Sequence, residues 1–83
     1  MTKKISPEAR SLLQLMVNNK VVVYRTMTNR AYYYTGEGEY DCTTEFLELR
    51  EKELIRQDYV DEREGCIWYV PVPTASWWIR ELI

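Results

Sequence analysis

Lys20, Arg25 and Arg30 interleave with Tyr24, Tyr32, Tyr33 and Tyr34 in one short stretch of the chain. Cations beside aromatic rings suit a single-stranded nucleic acid, because the cation meets phosphate while the ring stacks on a base. Lys20, Arg25, Arg30, Tyr32 and Tyr34 are therefore candidates for nucleic-acid contact. The competing reading is structural. A strand sends alternate side chains to opposite faces, so either Tyr33 or the pair Tyr32 and Tyr34 belongs to a core.

Catalytic chemistry has little support. The chain contains no histidine, so a general base has to be Asp, Glu, or a perturbed Lys or Cys. The acidic residues sit in runs that read as solvated. No glycine-rich phosphate loop, nucleophile elbow or metal box is present. Cys42 and Cys66 fit no zinc spacing. These features predict a non-enzyme without metal or cofactor. Cys42 precedes a helix, whose dipole could lower its pKa; the alternative is a small buried residue. Spacing alone does not exclude a disulfide, but a cytosolic setting favours two free thiols.

The elements that must carry these residues are legible in part. Ser6-Pro7-Glu8 is a helix start, with a capping hydroxyl, a proline suited to the first position and an acid at the positive end of the dipole. Ala9, Leu12, Leu13 and Met16 follow at helical spacing, and Asn18-Asn19 is a stop. The spacing predicts a helix over Pro7–Val17. Lys20 to Arg25, rich in valine, reads as a strand, and Ala31 to Thr35 as its hairpin partner. Gly36-Glu37-Gly38-Glu39 reads as a break. A second helix is expected over Thr44–Leu54, capped by Thr43 or Thr44, with Phe46, Leu49 and Leu54 inward and Glu45, Glu48 and Lys52 wet.

A second hairpin is expected next, Asp58–Asp61 and Cys66–Val72, turning at Glu62–Gly65. Gly65 takes the positive-φ position and Val60 faces Trp68. Period 2 puts Cys66, Trp68, Val70 and Val72 on one face and Ile67 and Tyr69 on the other. Pro71 cannot donate to a ladder, so the strand should be an edge there. Thr74 can cap a short final helix, Ala75 to Leu82.

With 83 residues the chain suits one domain, 1–83. Three Trp and seven Tyr argue against disorder. No apolar run approaches the roughly 20 residues that span a bilayer, and a cytoplasmic protein with no membrane contact is expected. Charge is lopsided: residues 1–35 hold six basic and one acidic residue, and residues 36–83 hold five basic and twelve acidic. Such asymmetry marks a basic or an acidic binding face, or simply two halves of one fold that attract each other.

Helix, hairpin, helix, hairpin and short C-terminal helix, in that order, resemble a minimal winged helix-turn-helix domain of the α+β class. The resemblance rests on Thr44-Glu45-Phe46-Leu47-Glu48-Leu49-Arg50-Glu51-Lys52-Glu53-Leu54-Ile55, a helix that ends in an aliphatic pair feeding the first wing strand. Glu53 stands where the family usually has glycine, and a tyrosine-rich strand stands where the family has a further helix. The resemblance implies a DNA-associated transcriptional or accessory regulator. The charge map weakens that implication: four acids oppose two bases over residues 43–55, and four oppose one over residues 58–65. Phosphate contact needs the opposite sign, and Lys52 is the helix's main candidate for base contact. Any DNA binding should be weak and salt-sensitive.

The alternative is a protein-interaction module without direct DNA binding. Its acidic surface, with Glu45 and Glu48, would meet a basic protein partner, and C-terminal aromatics would supply the anchor. Trp77 and Ile83 remain after Trp78, Ile79 and Leu82 are assigned inward, so they are candidates for a partner or homodimer contact.

Overall fold

A computed structural model describes residues 5–73. Along the chain run α1 (Pro7–Val17), β1 (Val22–Arg25), β2 (Arg30–Thr35), β3 (Gly38–Asp41), α2 (Thr43–Glu51), β4 (Ile55–Asp61) and β5 (Cys66–Pro71). The five strands form one antiparallel sheet in the order β3-β2-β1-β5-β4. Both helices pack against the same face of it, and the core lies between.

This arrangement corrects the winged-helix-like expectation. The described chain is a sheet-dominated α+β domain with two helices, not a helix–hairpin–helix–hairpin array. Two features decide it. Gly36-Glu37 is a tight connection rather than a break, because Thr35 pairs with Gly38 and the chain continues as β3. β1 then pairs with β5, so the two hairpins merge into a single sheet. α1, the β1–β2 hairpin and the run of α2 into the β4–β5 hairpin match the expectation locally; the way they assemble does not. The proposed helix Ala75–Leu82 lies outside the described residues.

α1 has the expected bounds. The Ser6 hydroxyl accepts from the Ala9 N–H at 3.1 Å, and Ala9, Leu12, Leu13 and Met16 are buried. Its end is set by Asn19 at φ 78. There Asn19 N–H reaches Met16 O and Lys20 N–H reaches Leu15 O, both at 3.0 Å. α2 closes the same way, with Glu53 at φ 59, Glu53 N–H on Arg50 O and Leu54 N–H on Leu49 O. Glu53 therefore occupies the left-handed position that glycine favours. It ends α2 at Glu51, short of the expected Leu54.

The start of α2 is also corrected. Neither Thr43 nor Thr44 is the cap; Cys42 holds that position and its side chain makes no capping bond. The Asp41 carboxylate substitutes, accepting the Thr43 N–H at 2.9 Å and the Thr43 hydroxyl at 2.6 Å. The Thr43 oxygen in turn accepts the Ala31 N–H at 2.9 Å, tying the helix start to β2.

Phe46 is the centre of the core and has no exposed surface. Tyr24 stacks on it at 5.2 Å and Tyr69 meets it edge-on at 4.7 Å, measured between ring centroids. Leu13, Met16, Val22, Leu49 and Leu54 are fully buried around it. Ile67 and Tyr69 point inward as a pair, as alternation predicts.

The second hairpin turns at the expected residues, with Gly65 at φ 67. Its register differs. Asp61 pairs with Cys66 across the four-residue turn, which sets Val60 opposite Ile67 and Tyr59 opposite Trp68. Asp58 is the extra residue of a bulge between Gln57 and Tyr59. β5 is an interior strand, although its pairing to β1 begins only at Tyr69, so Pro71 lies beyond that ladder.

Candidate interaction face

The second face of the sheet carries neither described helix. Strand register gives its layout. One row crosses the sheet as Asp41, Tyr32, Val23, Trp68 and Tyr59, and the next as Arg30, Arg25, Cys66 and Asp61. Tyr34 stands beside Tyr32 on the same strand face, opposite Glu39. Trp68 is 41% exposed, Tyr34 44% and Tyr59 52%. Large rings on a small sheet normally seek cover, so this exposure makes the face the candidate for binding. Tyr59 meets Trp68 edge-on at 5.5 Å.

The structure thus brings together five residues singled out by type and spacing: Lys20, Arg25, Arg30, Tyr32 and Tyr34. Tyr33 is the inward tyrosine, and it stacks on Tyr40 at 5.5 Å. The arginines, however, are engaged. Arg25 lies 4.7 Å above the Tyr32 ring, donates to the Tyr34 hydroxyl at 3.0 Å and pairs with Glu39 at 3.2 Å. The hydrogen bond to Tyr34, with the charge of Glu39, pushes its pKa further up. Arg30 pairs with Asp41 at 3.5 Å. The Lys20 ammonium donates to the Tyr34 carbonyl at 3.0 Å. A phosphate arriving here meets two arginines that already face carboxylates.

The other candidates are dispersed. Lys52 is exposed at the end of α2 and is not part of this face. Glu45 is half-buried and lines a cleft of about 290 Å³ with Glu8, Leu12, Tyr33 and Asp41. Glu48 is not on a wet face: it accepts the Ser6 N–H at 2.6 Å and the Ser6 hydroxyl at 2.9 Å. Trp77 and Ile83 lie outside the described residues.

Cys42 is buried, which pushes its thiol up to about 12, with Glu45 and Asp41 adding to the effect. Cys42 is thus the small buried residue of the two readings, and desolvation outweighs any lowering by the α2 dipole. Both cysteines are free thiols, Cys66 half-buried.

Val23, Tyr59 and Trp68 were not singled out from the sequence. Alternation along Cys66–Val72 separates Trp68 from the core face. Nothing local reveals that β1 lies beside it. No family model matches the chain, and no curated protein and no solved structure matches it either.

Proposed function

We propose that the protein is a small, non-enzymatic interaction module that binds a protein partner through its helix-free sheet face. One observation carries the reading: Tyr59, Trp68 and Tyr34 are exposed on one sheet face while the neighbouring arginines are already paired. Trp, Tyr and Arg are the residues that dominate binding energy at protein interfaces. Near-neutral charge suits a protein surface better than a polyanion.

A second reading is weak, salt-sensitive binding of nucleic acid by a DNA-associated regulator. Arg25 above the Tyr32 ring favours it, since a base can stack beside such a pair. Glu39 and Asp41 oppose it. A role in transcription no longer has the winged-helix fold behind it. A homodimer through this face is a further form of the interaction reading.

We place the protein in the cytoplasm on this reading, because Cys42 and Cys66 are unpaired. Among the described residues, no helix is long and apolar enough to cross a membrane. The test is affinity capture from native cell extract, with wild type and Trp68→Ala, each with and without nuclease. The interaction reading expects a protein retained after nuclease and lost with Trp68→Ala. Loss on nuclease treatment favours the nucleic-acid reading.

A further inference from the structure

The open face is grooved. Val21 and Val23 are short, whereas Tyr34 on one side and Trp68 on the other are tall. Two hollows of about 350 and 360 Å³ share Val23, Tyr34 and Trp68 and so form one trough along β1. Asn19 and Lys20 bound one end, and Asp61 and Glu64 the other.

Its dimensions select an occupant. Tyr34 and Trp68 stand on the strands flanking β1, so the walls are two strand spacings apart, about 10 Å. An α-helix with its side chains measures about 10–12 Å across, so it would lie on top of the two walls with one row of its side chains reaching down between them to Val23. The opposite face of the sheet already takes two helices, so a helix is the natural cover for this one. A chain lying extended on a sheet face would leave its backbone groups without ladder partners.

Charge selects its chemistry. Asp61 and Glu64 have no ion-pair partner among the described residues, while Arg25 between them and Tyr34 is held by Glu39. The distance from the Val23 row to the Asp61 row is two residues of strand, about 7 Å. One helical turn advances about 5.4 Å. A basic side chain one turn beyond an apolar anchor therefore reaches the acidic end.

We propose that the trough takes one amphipathic helix of a protein partner. Its large apolar residue sits over Val23 between Tyr34 and Trp68, and a Lys or Arg one turn on meets Asp61 and Glu64. The proposal rests on the interaction-module reading and adds the chemistry of the partner.

The probes are two amidated, alanine-based helical peptides that share a leucine pair at i and i+4. One carries Lys a turn beyond the pair, and the other carries Glu there. Each is titrated into the full-length protein, with the Trp68 indole N–H followed by NMR. The lysine peptide should bind at least about tenfold more tightly than the glutamate peptide. The double variant Asp61→Asn/Glu64→Gln should close that gap, and Trp68→Ala, followed at the Val23 and Cys66 backbone amides, should abolish binding of both peptides with the amide spectrum otherwise preserved. Equal affinities, or no shift at Trp68, overturn the proposal. Tighter binding of a ten-residue oligothymidylate assigns the trough to nucleic acid and overturns it. A Trp68 shift with protein concentration alone assigns it to a second copy and overturns it, and a Trp68 shift on Trp77→Ala or Trp78→Ala without peptide assigns it to the chain's own C-terminal segment, with the same result. A captured protein that depends on Trp68 but does not compete with the lysine peptide removes the helix while leaving the interaction-module reading in place.

Discussion

Glu48 holds Ser6 with both carboxylate oxygens, one on the backbone N–H at 2.6 Å and one on the hydroxyl at 2.9 Å. Ser6 is at the same time the cap of α1. An acid of the second helix thus fixes the entry of the first. Glu48→Ala should cost about 1.5–3 kcal/mol, the range for hydrogen bonds to a charged group. Ser6→Ala also removes the cap, worth about 1 kcal/mol. In urea denaturation the double variant should lose less than the sum of the two, because both remove the same contact. Full additivity would show that the two residues act independently.

Asp41 gives the start of α2 a pH dependence. Its bonds from the Thr43 hydroxyl and N–H, and the nearby Arg30, hold its carboxyl below the ordinary value of 3.8. A carboxyl lowered by folding stabilises the fold above its unfolded pKa and loses that contribution as pH falls through the folded pKa. Stability should therefore decline as pH drops below about 4, and Asp41→Asn should remove part of that slope. Denaturant midpoints at pH 7, 5 and 3 check this. At neutral pH, Asp41→Ala should cost about 1 kcal/mol, as loss of a capping acceptor does.

Glu53 is strained at φ 59. Glycine adopts that conformation without a Cβ penalty. Glu53→Gly should raise stability by roughly 0.5–1 kcal/mol and leave the Leu54-to-Leu49 hydrogen bond in place. A lowered thermal midpoint would show that the Glu53 side chain makes a stabilising contact of its own.

The thiols should differ in reactivity. Cys42 is buried and stays protonated far above neutrality, whereas Cys66 is half-buried on the open face. Thiolate is the reacting species. An aromatic disulfide reagent at pH 8 should label Cys66 promptly in the native protein and Cys42 only after denaturant is added. Peptide mapping identifies the labelled residue.

Phe46 and Trp68 should separate stability from binding. Phe46→Ala empties the centre of the core and should cost about 3–5 kcal/mol. Trp68→Ala removes a ring that is 41% exposed and should cost far less. Melting curves of the two variants, read beside partner capture, make the comparison. Comparable losses of stability would show that Trp68 belongs to the fold rather than to a binding surface.

Local signals were readable in the sequence. Ser6-Pro7-Glu8 starts α1, and Phe46, Leu49 and Leu54 are buried as their spacing implies. Gly65 turns the second hairpin. Partnerships between distant segments were not readable. β3 escapes notice because Gly38-Glu39-Tyr40-Asp41 is exposed throughout and lacks apolar alternation. Glu48 looks solvated until its distant partner Ser6 is known. The candidate face was half visible, since Arg25, Arg30, Tyr32 and Tyr34 share one hairpin. The other half, Trp68 and Tyr59, joins it only through the β1–β5 ladder.

That ladder also orders the assembly of the chain. β1 with β2 and β3 is a local meander, and β4 with β5 is a local hairpin. Either can zip within microseconds on its own. Joining Val22 to Tyr69 needs closure of a loop that contains nearly everything else, including α2. Loop entropy is lost before those contacts form, so the seam is the slow step. The segment before Gly36 is net positive and the rest of the chain net negative. Their attraction draws the two sides of the seam together, so collapse should slow as added salt screens it.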